Sequence, residues 1–172
     1  GLTTAEMAPV CTIMVGRIED WLHVLMERDG VEADRGAIQW AGVAVFKRAY
    51  GIFQERGFRA RLLSAAYRHD LHWTELIGAD GVLTMTWDWQ VRFNESGYAV
   101  TPRIDAPVDP AALAELVARF PDFVRAFEPD GLTPEEFDTY GPTVRTLRGF
   151  ITAYHDLQAL IRDFMLPDPD VT

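Results

Sequence analysis

VCTIMVGRIEDW, residues 10–21, decides how this chain is read. The run VCTIMV, 10–15, predicts a strand buried on both faces, as in a parallel sheet covered by helices. Gly16 permits a turn. RIEDWLHVLMERDG then takes helical spacing, with Ile18, Trp21, Leu22 and Leu25 on one face and Gly30 at its end. A strand that gives way at once to a helix is a βα junction. Here the helix opens on Arg17, which raises the question of what partners that arginine.

Two further strand–helix pairs follow. VEADRG reads as a linker. AIQWAGVAVFKRAYGIFQERG, 37–57, is the strongest helix signal, with Ile38, Ala41, Val45, Phe46 and Ile52 on its apolar side and Gly57 at the C-cap. FRARLLSAA, 58–66, predicts a second strand, and YRHDLHWTELIGADG a short helix and turn. VLTMTW, 82–87, predicts a third strand, and DWQVRFNES a third helix. This alternation predicts an α/β fold with a parallel sheet. From about residue 98 the character changes. YAVTPRIDAPVDP reads as loop, and Asp109 caps a helix that opens on Pro110 and carries Leu116, Val117 and Phe120. Thr133 to Glu136 has a capping pattern. Residues 142–165 predict a long amphipathic helix with Val144, Leu147, Phe150, Ile151, Tyr154, Leu157, Leu160 and Ile161 as its stripe. PDPDVT reads as a tail. The chain is thus expected to divide into 1–97, the sheet with its helices, and 98–172, a helical extension packed on it.

Composition narrows the possibilities. The chain has 172 residues, a net charge of -10, and ordinary hydrophobic and charged fractions of 48% and 24%. Such acidity argues against nucleic acid or an anionic membrane as main partner, though not against a local anion pocket. Cys11 is the single cysteine, so a disulfide within the chain is impossible and a reducing cytoplasm is the simplest setting. Its apolar surroundings predict a buried, inert thiol. No apolar run has the length of a membrane span, and GLTTAEMAP lacks the features of a signal peptide. Lys47 is the single lysine. It lies mid-helix, where a solvated surface role is expected rather than the desolvated pocket of a Schiff-base lysine.

Parallel α/β folds bind ligands at the carboxyl ends of their strands. Arg17 follows the first strand and Arg68 the second, each where a helix begins and its free N–H groups favour an anion. A guanidinium suits bidentate contact with phosphate. Two readings fit this spacing. The pair grips one phosphate, or each arginine pairs with a surface acid, Asp20 for Arg17 and Glu75 for Arg68. His69 and His72 have the i,i+3 spacing of two metal ligands, but the third would have to be an acid. His23 and His155 read as ordinary helix residues, and Trp87 and Trp89 as core.

VGRIEDW, SAAYRH and IGADGVLTMT, in this register over about 80 residues, resemble the transaldolase family of class I aldolases, in its segments after barrel strands six and seven and at the turn into strand eight. FDTYGPTVRTLRGF and the last helix resemble the C-terminal part of a longer bacterial branch. The resemblance runs from about Pro9 to Phe164. It implies a partial (β/α)8 barrel of about three parallel strands followed by a helical C-terminal segment. It also implies transfer of a dihydroxyacetone unit between ketose and aldose phosphates in the pentose phosphate pathway, without metal or organic cofactor. Arg17 and Arg68 match the family's phosphate-binding arginines, and Thr12 a hydroxyl residue of the sugar pocket. Met14 stands where an aromatic is usual and Ala66 where many members have serine.

The family's first five strands, with their aspartate, glutamate and Schiff-base lysine, have no counterpart here. The chain is therefore expected to supply a sugar-phosphate site without the catalytic residues, and to be inactive alone. The open barrel edge is expected to be covered by an N-terminal half-barrel polypeptide or by a second copy, unless these residues are part of a longer natural chain. The alternative is a non-catalytic phosphosugar-binding or interaction module.

Overall fold

The computed structural model describes residues 6–7, 9–167 and 169–170, so the readings of GLTTAEMAP and PDPDVT lie partly outside the described residues. The elements are β1 (Val10–Met14), α1 (Val15–Asp29), α2 (Arg35–Ile38), α3 (Trp40–Arg56), β2 (Arg61–Ala65), α4 (Leu71–Thr74), β3 (Gly81–Leu83), α5 (Trp87–Glu95), α6 (Pro110–Arg119), α7 (Pro121–Phe127), a 3₁₀ turn (Glu135–Asp138) and α8 (Gly141–Met165). The strands form one parallel sheet in the order β1-β2-β3. This is the expected α/β fold, an arc of three parallel strands with helices.

Contacts divide the chain into two compact units, Gly1–Leu132 and Thr133–Thr172. The first is built around α3. On one side Ala41 and Ala44 join Ile38 of α2, Ile18, Leu22 and Leu25 of α1, Leu116 of α6, Phe123 of α7 and Phe120 between them. On the other, Phe46 joins Val15, Leu62, Tyr67, Trp73, Leu76 and Ile104. Because α3 serves both clusters, Ala41 to Ala44 are buried as a continuous run rather than as a stripe. Gly42 makes the approach possible, since a Cβ there would overlap the carbonyl of Val15.

Several boundaries differ from the sequence reading. VEADRG is not only a linker: Asp34 caps α2 by accepting from the Gly36 N–H, and Gln39 separates α2 from α3. PDFVRAF forms a helix of its own, α7, starting on Pro121. The third strand is only Gly81–Leu83, and Trp87 already opens α5, 74% exposed instead of in the core. Trp89 does pack, edge-on to Tyr67.

The reading of 10–15 as a strand buried on both faces is corrected. Val15 belongs to α1. Val10, Cys11 and Thr12 are exposed, and Ile13 and Met14 half-buried. The reason is position: among the described residues β1 lies at the sheet edge, bonded to β2. Cys11 is accordingly an exposed thiol, not a buried one. Register sets Ile13 beside Ser64 and Ser64 beside Leu83, while Thr12, Leu63 and Val82 line up on the alternate positions. Ile13 and Leu83 pack on the second core cluster. Strand alternation therefore turns Thr12 and Met14 to the opposite face.

In the second unit, Glu136 reaches back to the Thr133 N–H, half of the expected capping box, over a 3₁₀ turn. The α8 stripe is exposed, with Leu147, Phe150, Ile151, Tyr154, Leu157, Leu160 and Ile161 each more than half accessible. Among the described residues no helix is long and apolar enough to cross a membrane.

Candidate functional site

The carboxyl ends of β1 and β2 meet at Gly16. A Cβ there would overlap the Ala66 carbonyl oxygen and come within 2.9 Å of Arg68 Cγ, so only glycine lets the start of α1 approach the end of β2. Ala66 itself has φ of 64°, a left-handed conformation uncommon for a residue with a Cβ. Such strain persists only where the surroundings enforce it. Here it turns the chain sharply out of β2 and delivers Arg68 alongside α1.

Arg68 holds Asp20 of α1 in a two-bonded fork, Nε to Oδ1 at 2.8 Å and Nη2 to Oδ2 at 2.7 Å. Its Nη1 donates to the carbonyls of Ala66 and Tyr67. These contacts keep the guanidinium strongly protonated, Asp20 contributing most. Arg17, at the third position of α1, reaches the same Oδ2 by a long 3.5 Å contact, and its buried Nε has no partner. Of the acids offered as partners, Asp20 is found at Arg17. It pairs with Arg68 as well. Glu75 does not. The first turn of α1 has no capping side chain and no acid, so its N–H groups face this place without an intrahelical rival.

Behind the arginines lies a cluster that the sequence reading only half found. His69 and His72 do come together, their rings 3.9 Å apart, and the acid they required is Glu19. Glu19 Oε2 lies 2.8 Å from His69 Nε2 and 3.3 Å from His72 Nε2, the second contact poorly aligned for a hydrogen bond. His23, one turn along α1, stands 3.7 Å from the other oxygen. Burial alone would raise the Glu19 pKa. The hydrogen bond from His69 and the attraction of both histidines outweigh it and hold the carboxyl down at about 2.

His72 Nδ1 accepts from the Arg68 main-chain N–H at 3.0 Å. Its ring proton is therefore on Nε2, facing Glu19. Burial, the largest influence, lowers its pKa and keeps it neutral. A metal on Nε2 would require a proton on Nδ1, where the Arg68 N–H already points. The three groups are engaged with one another and do not fit a metal.

Lys47 is not the solvated residue expected. Its side chain is 8% exposed, with Nζ 2.8 Å from Glu75 Oε2 and 2.8 Å from each of the carbonyls of Arg103 and Ala106. Arg103 takes the other oxygen of Glu75. The lysine ties the 98–109 loop to α3. Elsewhere, an open groove of about 430 Å³ is lined by Asp70, Asp88, Arg92, Glu95 and Tyr98, and includes neither strand-end arginine.

Glu19 is the residue the sequence reading missed. Its signal was faint: an acid at i,i+4 from His23, within a helix whose neighbours looked ordinary. No solved structure matches the chain. The family model described as transaldolase/fructose-6-phosphate aldolase matches residues 3–127.

Proposed function

The chain belongs to the transaldolase/fructose-6-phosphate aldolase family, and from that premise we propose that Arg17 and Arg68 bind the phosphate of a sugar phosphate. One observation carries the reading. Two guanidinium groups from adjacent strand ends converge on a single carboxylate, Asp20, beside the uncapped start of α1. A carboxylate gripped in a fork marks where another oxyanion would be gripped. Arg68 feels the charge of Glu19 as well as of Asp20, while Arg17 has only the long contact to Asp20 among the described residues. Thr12 and Met14, on the sheet face away from the helices, would border the sugar. Ala66 has no hydroxyl to offer there.

In a complete enzyme the proposed reaction moves a dihydroxyacetone unit between ketose and aldose phosphates. The residues of this chain hold the phosphate and so orient the carbonyl end of the sugar toward an imine-forming lysine. Lys47 is not that lysine, because its ammonium is already committed to three acceptors. The lysine and the proton-handling carboxylates would come from outside this sequence, from a half-barrel that pairs with the β1 edge. Binding without turnover is the second reading, favoured by the same engagement of Lys47.

Borohydride reduction in the presence of fructose 6-phosphate separates the two. An intact-mass adduct on an assembled enzyme, together with an Arg68→Ala variant that raises the Michaelis constant, supports the first. An adduct on Lys47 of this chain would overturn both.

A further inference from the structure

The cluster behind the arginines has a geometry that the phosphate reading does not use. Glu19 and Asp20 are consecutive on α1, and each reaches one layer of the β2–α4 loop. Asp20 takes the Arg68 guanidinium. Glu19 takes the two histidines, of which His72 is fully buried on α4. From α4 the ring of His72 points back, and its Nδ1 receives the main-chain N–H of Arg68. The side chain and the backbone of one arginine are thus each fixed by an acid on α1, one directly and one through a histidine.

We propose that His72 is a positioning residue for Arg68: its neutral ring, faced by Glu19, holds the arginine's main chain through Nδ1, and acid releases it. Protonation puts a hydrogen on Nδ1, directly against the Arg68 N–H. The acceptor is lost, and two donors oppose each other in a buried place. The loop that carries Arg68, already strained at Ala66, loses the contact that follows the strain.

Glu19 of α1 and Tyr67, Arg68 and His69 of the β2–α4 loop face His72, and His23 stands at the other oxygen of Glu19. Glu19 favours the protonated ring, whereas burial, His69 and Arg68 disfavour it. The Tyr67 phenol, pushed up to about 12 mainly by burial, stays neutral throughout.

The consequence runs against simple charge. A histidine gaining a proton beside an anion site should tighten anion binding as pH falls. Release of Arg68 loosens it instead. The inference about binding rests on the proposed anion site, but the coupling of His72 to Arg68 does not.

The test is a ¹⁵N NMR titration of the whole chain, following the His72 ring and the Arg68 amide, with and without sulfate as probe. The expected result is an Nε2–H tautomer at neutral pH, and an Arg68 amide that shifts and loses exchange protection at the His72 midpoint. Sulfate affinity should fall on the order of tenfold through that midpoint. In His72→Asn, whose Oδ1 replaces Nδ1 as acceptor but does not titrate, affinity should hold. A proton on Nδ1 at neutral pH, or an Arg68 amide indifferent to the His72 titration, overturns the proposal. Both of these signals come from the unsubstituted chain, so the folding of a variant does not enter. An amide that follows His72 in a chain binding no sulfate at any pH upholds the positioning role and removes the anion site.

Discussion

Arg68 and Asp20, 48 positions apart in sequence, form a two-bonded ion pair at 2.8 and 2.7 Å that joins the exit of β2 to the second turn of α1. Both side chains are partly exposed. The pair orders the site more than it stabilises the fold, since such ion pairs contribute roughly 0–1 kcal/mol. Asp20 also occupies the donors an incoming oxyanion would use.

Asp20→Asn keeps the shape and removes the charge. It is expected to lower unfolding free energy by no more than about 1 kcal/mol, an effect that fades in high salt. Sulfate should bind several-fold more tightly, because the internal competitor has gone. Calorimetry reads the second effect, and weaker binding would mean that Asp20 orients the arginines rather than competing with the ligand.

Gly16→Ala places a methyl against the Ala66 carbonyl. A loss of about 1–3 kcal/mol in urea unfolding is expected, as for other overpacked positions. The Arg68 amide resonance should shift at the same time. Wild-type stability would show that the βα junction is looser than described.

Lys47→Met removes a buried ammonium from Glu75 and two carbonyls. Breaking a buried pair from one side costs about 3–5 kcal/mol. The lower end is expected here because Arg103 still pairs with Glu75. Chemical denaturation measures it. A change under about 1 kcal/mol would restore the solvated lysine that the sequence suggested.

Stability should fall on acidification in two windows. Glu19 is held near 2 against an ordinary 4.5. Its contribution is present above 4.5 and lost as pH falls toward 2, at most about 3 kcal/mol. His72 is also depressed, from 6.5. Below that value the unfolded chain takes up its proton first, so stability declines there as well. Urea midpoints across pH test the sign. In Glu19→Gln the lower window should vanish.

The fold was legible because its signals are local. Strand–helix alternation, the Gly57 C-cap and the Asp109–Pro110 helix start are each written within a few residues, and each is found. The arginines were legible as strand-end residues. Asp20 was legible as a partner of Arg17, three residues along the same helix, but not of Arg68, which it meets only once two strands lie side by side. Glu19 was invisible for the same reason: its ligands lie 50 and 53 positions away. The reading of β1 as doubly buried failed since an apolar run does not reveal whether its neighbour strand is present. Lys47 was misjudged because the loop that buries it has no regular pattern.

The most direct test of the phosphate site is calorimetric titration of the 172-residue chain with fructose 6-phosphate, beside its Arg17→Ala variant. Among the described residues Arg17 makes one long polar contact, to Asp20, so its removal should leave the fold intact. Measurable binding by the parent chain and none by the variant is the expected result. Equal affinity in both, or no binding by either, would contradict a phosphate site at these arginines.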